Sequence, residues 1–188
     1  AAWTRDLRTY LFEQAGLKTA RRVLEVGCGT GAILRELSAP TLHGLDLEAG
    51  SLDECQVQAP AASLTLGDGH YLPYPDKSFD IVYCHYLLLW VKDPLQVLCE
   101  MARVGHSVLA LAEPDYSQRV DEPSALKLLG EWQMEALRRQ GANPSFGASL
   151  AETFYQAGIR LVETGPIQGG AVVKSAEEWK TEWAVIQS

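Results

Sequence analysis

Apolar positions along the chain change period repeatedly, and the changes divide it into alternating strands and helices. Val23–Val26 is a short apolar run closed by Gly27, which reads as a buried strand. Thr30–Ala39 carries Ile33, Leu34 and Leu37 at helical spacing with Pro40 as a stop, which predicts a helix. Leu42–Asp46 reads as a second strand, Ser51–Val57 as a short helix and Ser63–Leu66 as a third strand. Gly67–Ser78, broken by Gly and Pro, reads as a loop. Phe79–Cys84 and Ser107–Ala112 are a fourth and a fifth strand. Between them Pro94–Val104 is a helix with Leu95, Leu98, Cys99 and Ala102 on one face. Strands separated by helices predict parallel crossovers, hence an α/β, doubly wound, mostly parallel sheet with helices on both faces.

Past the fifth strand the pattern turns helical. Glu122–Gln140 places Ala125, Leu128, Leu129, Trp132 and Ala136 on one stripe with Pro123 in the first turn, an amphipathic helix by spacing. Phe146–Ala157 is a further helix stopped by Gly158, and Ile159–Pro166 reads as a sixth strand. Ser175–Glu178 is a capping box that opens a last helix with Trp179, Trp183 and Ile186. Ahead of the first strand, Leu7, Leu11 and Ala15 with Gly16 behind them predict an N-terminal helix. No repeat or linker intervenes. Residues 1–188 are therefore expected to form a single domain: 1–120 the sheet half, 121–188 a helical insertion plus a C-terminal strand and helix.

Composition narrows what such a fold could serve. A chain of 188 residues buries roughly 70% of its unfolded surface without help from disulfides or metals. Sixteen Lys+Arg against 24 Asp+Glu leave a net charge of −8, which argues against a nucleic-acid partner. The longest strongly apolar run, Tyr86 to Val91, is far short of a membrane span, and the first residues lack the apolar stretch of a signal peptide. A cytoplasmic protein without membrane insertion is expected. Cys28, Cys55, Cys84 and Cys99 have no paired spacing and the four His are scattered, so no metal site is expected.

The chemistry lies at the strand ends. Gly27-Cys28-Gly29-Thr30-Gly31 is a turn that admits a ligand to its backbone, followed by a helix start that offers free N–H groups. Gly27, Gly29 and Ala32 also satisfy the dinucleotide pattern GxGxxA, with an acid, Asp46, on the next strand. Charge separates the two readings. A parallel sheet brings Glu25, Asp46 and Asp68 to one carboxyl edge, where a pyrophosphate would meet three carboxylates and no basic residue in the loop. A ligand with a sulfonium and an ammonium suits that edge better, which favours S-adenosylmethionine (SAM) over NAD.

The series VLEVGCGTG, LDL, GDGHYLPYPDKSFDIVYCHYLLLWVKDP and LAEPD resembles the class I SAM-dependent methyltransferases, in particular the methyltransferase type 11 group that includes ubiquinone- and menaquinone-biosynthesis enzymes. The resemblance implies a Rossmann-like fold and methyl transfer from SAM to a small-molecule or lipid-like acceptor. It implies that the turn of Gly27, Cys28, Gly29 and Gly31 lines the methionine part of SAM, with Glu25 near its amino group. Asp46 would accept the ribose hydroxyls, Leu47 would pack on adenine, and Asp68 with Gly69 would take the adenine amino group. Cys84 and His85 would lie near the sulfonium, with His85 the candidate general base. Tyr86, Trp90, Asp115 and Tyr116 are the candidate acceptor contacts. Two other readings stay open: a non-catalytic SAM-binding regulator, and an NAD(P)-dependent oxidoreductase. The family sheet ends with a sixth strand and an antiparallel seventh. Only one strand is found after Gly158, so the final antiparallel strand is expected to be missing, the gene product to be longer, and the exposed sheet edge to favour a homodimer.

Overall fold

The computed structural model describes residues 5–165. Its five strands are β1 (Arg22–Val26), β2 (Thr41–Asp46), β3 (Ser63–Leu66), β4 (Phe79–His85) and β5 (Gly105–Leu111). All pair in parallel, in the order β3-β2-β1-β4-β5. β1 takes the centre because Val23, Leu24 and Val26 bury apolar groups on both faces. The order reverses between β1 and β4, and that crevice at the carboxyl ends is where open α/β sheets bind ligands.

Two cores follow from strand alternation. On one face Val23, Ile81 and Tyr83 meet Phe12 of α1 (Arg5–Gln14) and Cys55 of α2 (Ala49–Gln58). On the other, Leu24, Val26, Val82 and Cys84 meet Val97, Leu98 and Met101 of α3 (Pro94–Val104) and Phe154 of α5 (Leu150–Gln156). α3 starts sharply because the Asp93 side chain accepts from the Gln96 N–H at 3.0 Å and Pro94 occupies the first turn. Its end is closed by the Lys77 ammonium, which donates to the Ala102 and Gly105 carbonyls, both at 2.7 Å.

Several expected elements differ. Thr30–Ala39 forms only a 3₁₀ turn at Leu34–Glu36. One helical bond, from the Arg35 N–H to the Gly31 carbonyl, is followed at once by tighter bonds from Glu36 to Ile33 and Leu37 to Leu34. A single turn gains too little to propagate, and Pro40, which lacks an N–H, closes the segment. The buried face of α3 is Val97, Leu98, Met101 and Val104, rotated from the predicted one. The long insertion helix, α4, spans Lys127–Arg139 and does not begin at Glu122. Its inward side is Gly130, Met134 and Leu137, whereas the predicted stripe faces out, with Leu128 at 52%, Leu129 at 55% and Trp132 at 61% exposure. At Gly130 a Cβ would sit 2.4 Å from an Asp121 carboxylate oxygen, so that side chain lies directly against the bare backbone of the helix.

Phe146–Ser149 is a 3₁₀ turn that runs into α5. The expected sixth strand is absent among the described residues. Ile159 packs on the core, but Leu161 and Val162 point outward, and up to Gly165 the segment joins no strand among the described residues. Pro166 and the expected helix of Trp179, Trp183 and Ile186 lie outside the described residues.

Leu98→Ala, in the closed core, is expected to cost about 2–5 kcal/mol in urea denaturation. Trp132→Ser, on the outward side of α4, is expected to change stability by no more than about 0.5 kcal/mol. Equal losses would mean that the stripe is buried after all.

Candidate functional site

The glycine turn after β1 adopts left-handed backbone at Gly27 (φ 70°), Gly29 (φ 49°) and Gly31 (φ 79°). Two of these are hemmed in from below: a Cβ at Gly27 would meet Leu87 at 2.6 Å and one at Gly31 would meet the Cys55 sulfur at 2.7 Å. Gly29 has nothing within 4 Å, so the turn is packed underneath and open above. The Gly29 N–H donates to the Asp46 carboxylate at 2.7 Å, and the other Asp46 oxygen accepts from the Glu48 N–H at 3.0 Å. The acid at the end of β2 therefore holds the turn in place with lone pairs to spare. Leu47 beside it is 66% exposed.

Asp68, just after β3, is clamped by its own loop. One oxygen accepts from the His70 N–H at 2.9 Å and meets the His70 Nδ1 at 2.6 Å. The Asp93 N–H donates to His70 Nε2, so the neutral ring carries its proton on Nδ1. The two His70 bonds hold the Asp68 carboxyl below the usual range. Gly69 approaches Val26 closely enough that a Cβ would lie 3.1 Å from its side chain. The rest of this loop is fixed by Arg103, which bonds to Glu100, Asp76 and the Leu72 and Tyr74 carbonyls.

Glu25 is not on the open side. Strand alternation turns it to the α1 face, where it is 2% exposed and accepts from the Tyr83 hydroxyl at 2.8 Å. Burial pushes its pKa up to about 8, against the pull of Tyr83, the Leu34 N–H and Arg8. The expected three-carboxylate edge is thus two carboxylates, Asp46 and Asp68, with a largely protonated acid beneath. Arg8 of α1 is itself buried and paired with Glu36 at 2.5 Å. His85 lies on this same face. Its Nε2 is enclosed without a hydrogen-bond partner, and burial with Arg8 nearby lowers its pKa to about 4.

Neither cysteine expected at the cofactor presents its thiol there. Cys84 is fully buried on the α3 face, its sulfur 3.9 Å from a Glu113 carboxylate oxygen. The Cys28 sulfur packs down against Gly44, where a Cβ would lie 2.8 Å away. Burial raises both thiols, so neither is a thiolate at neutral pH.

The aromatic candidates do converge. Tyr86 has left-handed backbone (φ 57°), and its hydroxyl lies 3.1 Å from that of Tyr116. Its ring meets Trp90 edge-on at 6.5 Å. Asp115 serves locally, accepting from the Ser117 N–H and hydroxyl to cap the short turn at Tyr116–Gln118. Sequence reasoning missed Arg8, His70 and Glu113. The last two had a signal: an acid two residues before a histidine, and Glu-Pro directly after a strand. Arg8 had none.

Against known proteins, residues 24–107 match the family model described as "Methyltransferase domain". The chain is 31% identical over 156 residues to the demethylmenaquinone methyltransferase of Renibacterium salmoninarum, covering 80% of this chain and 65% of that protein. It is 36% identical over 91 residues to the malonyl-[acyl-carrier protein] O-methyltransferase of Halorhodospira halophila, covering 45% of this chain and 31% of that protein. Among solved structures, the BH2331 protein of Bacillus halodurans C-125 superposes with a TM-score of 0.65 at 20% identity, over 82% of this chain and 69% of that one, a likeness of fold. Residues 24–107 thus match a methyltransferase domain, and the chain is similar in sequence and in fold to class I SAM-dependent methyltransferases. It spans less than two thirds of the length of either curated relative.

Glu25 gives a pH test. Folded, it holds its proton to about pH 8; its ordinary value is 4.5. Between those limits the folded state binds more protons, so its contribution to stability is full below 4.5 and lost as pH rises towards 8. His43 and His85 are depressed and act with the opposite sign, but only below their ordinary 6.5. From pH 6.5 to 8 the Glu25→Gln variant is expected to show a flatter stability profile than wild type in urea titrations. Matching slopes would exclude a buried protonated Glu25.

Proposed function

We propose that this chain binds SAM across the carboxyl ends of β1, β2 and β3 and transfers its methyl group to a small or lipid-like acceptor held by Tyr86, Trp90 and Tyr116. One observation carries the cofactor half: the open Gly29 backbone, the Asp46 carboxylate bonded to it and the exposed Leu47 form a continuous ledge. That ledge suits a nucleoside whose two ribose hydroxyls need an acceptor and whose base needs an apolar seat. The second Asp68 oxygen, unbonded among the described residues, supports an exocyclic amine as its partner. The ledge presents carboxylates and, among the described residues, no basic side chain of the glycine turn, which supports a cationic cofactor over a pyrophosphate.

Bound there, SAM supplies a methyl group already activated on a sulfonium. The chain's part is then to hold the acceptor in line and exclude water. His85 takes a packing role in this reading, because its ring lies on the α1 face and its pKa near 4 makes it a weak base. The Tyr86–Tyr116 hydroxyl pair offers one free O–H and several lone pairs to an acceptor oxygen. The name of the Renibacterium relative, which aligns over 80% of this chain, supports a quinol-type acceptor over a thioester. A homodimer belongs to the same reading: β5 has β4 on one side and no strand on the other among the described residues. So does a cytoplasmic location, and no described helix is long and apolar enough to cross a membrane.

Saturating SAM or its demethylated product is expected to stabilise the protein by about 2.7 kcal/mol at 100-fold excess over Kd, while NAD(P) does nothing. A shift with NAD(P) alone would sink the reading. Asp46→Asn keeps one acceptor oxygen for the turn and is expected to weaken product binding by about tenfold to a hundredfold in calorimetry. Transfer of a labelled methyl group to a panel of prenylated quinols and malonyl thioesters tests the acceptor class.

A further inference from the structure

Three loops meet on the acceptor side, and their mutual bonds form a closed ring. The Tyr86 N–H donates to the Leu111 carbonyl at 3.0 Å. The Leu89 carbonyl accepts from the Asn143 N–H at 2.7 Å. The Pro144 carbonyl accepts from the Tyr116 N–H at 3.0 Å, and the Pro114 carbonyl from the Gly147 N–H at 2.8 Å. Inside this ring lies the Glu113 carboxylate. One oxygen accepts from the Leu87 N–H at 2.9 Å and the Leu88 N–H at 3.0 Å; the other accepts from the Leu89 N–H at 3.2 Å.

Successive N–H groups converge on an anion only when the backbone folds into a concave nest. Here the acceptor is a side-chain carboxyl from the neighbouring strand end, so the nest ties β4 to β5 just where the acceptor wall begins. The tied turn faces two ways. Tyr86 and Trp90 at its ends form the aromatic wall, while the Leu87 side chain presses against the underside of Gly27, where a Cβ would come within 2.6 Å of it. Leu88 and Leu89 are fully buried, so the turn cannot shift without opening the core.

We infer that Glu113 is a positioning residue for methyl transfer, holding the Leu87–Trp90 turn so that the aromatic acceptor wall keeps its register against the glycine turn. This inference rests on the proposed acceptor site. It assigns Glu113 no contact with either substrate.

The test compares wild type with Glu113→Gln and Glu113→Ala. The amide keeps one oxygen for Leu87 and Leu88 but sets an NH₂ against the Leu89 N–H; alanine removes every acceptor. Hydrogen exchange by mass spectrometry is expected to show protected amides at 87–89 in wild type, partial loss in Gln and full loss in Ala. With a prenylated naphthoquinol as acceptor, KM for the quinol is expected to rise about tenfold or more in Ala and less in Gln. The Kd for the demethylated cofactor is expected to worsen less than the quinol KM, since Asp46 and Cys55 still hold the glycine turn. Unchanged exchange at 87–89, or a cofactor Kd that worsens as much as the quinol KM, overturns the inference. So does activity that falls only in proportion to the folded fraction. A wild type that leaves the quinol unmethylated counts against the acceptor reading instead, and the positioning role is then decided by exchange and by cofactor affinity.

Discussion

The bond between the Gly29 N–H and the Asp46 carboxylate joins the two features on which the site depends. A glycine turn with three left-handed residues has no internal reason to keep one shape, since glycine pays the largest entropy on ordering. Packing fixes it from beneath, through Leu87 under Gly27 and Cys55 under Gly31. The carboxylate at the end of β2 fixes it from the side. Because β1 and β2 are adjacent and parallel, their carboxyl ends fall side by side, and an acid at that position reaches the turn with no loop of its own. The ledge is therefore a property of strand order before it is a property of any single residue.

The charges beneath this ledge follow a different logic. Two acids and an arginine near the sheet would be costly to bury singly. They are arranged so that Arg8 meets Glu36 and Glu25 keeps its proton against Tyr83. The carboxylates left facing out are Asp46 and Asp68, so much of the sequence's apparent acidity at this edge is neutralised inside the fold. The preference for a cationic ligand survives, on fewer charges than the sequence suggests.

The parallel order was legible because each strand is a short apolar run bounded by breakers, a pattern that requires no knowledge of partners. The glycine turn, Asp46 and Asp68 were legible because carboxyl-edge placement follows from the sheet alone. What sequence could not yield was the direction of side chains. Glu25, Cys84 and His85 are close to the edge in number, yet alternation sends Glu25 and His85 under α1 and Cys84 under α3. The Thr30–Ala39 helix failed since spacing reports a buried face, and Ile33 and Leu34 reach the core from a 3₁₀ turn as well. The sixth strand failed because an apolar run needs an inward-facing row, and only Ile159 supplies one.

α4 shows the same limit from the opposite direction. Its apolar stripe is regular, and periodicity would bury it; yet the helix turns its glycine inward, with the Asp121 carboxylate against it. The turn after β4 departs from local preference as well. Tyr86 accepts a left-handed backbone that a bulky aromatic residue resists, because the neighbouring N–H groups have an acid to bind and Leu88 and Leu89 have a core to fill. Local preference yields wherever a fixed partner lies within reach. At this sheet edge the fixed partners are the acids that end or follow β2 and β5, so the glycine turn and the turn after β4 are each held in shape by a carboxylate from the neighbouring strand.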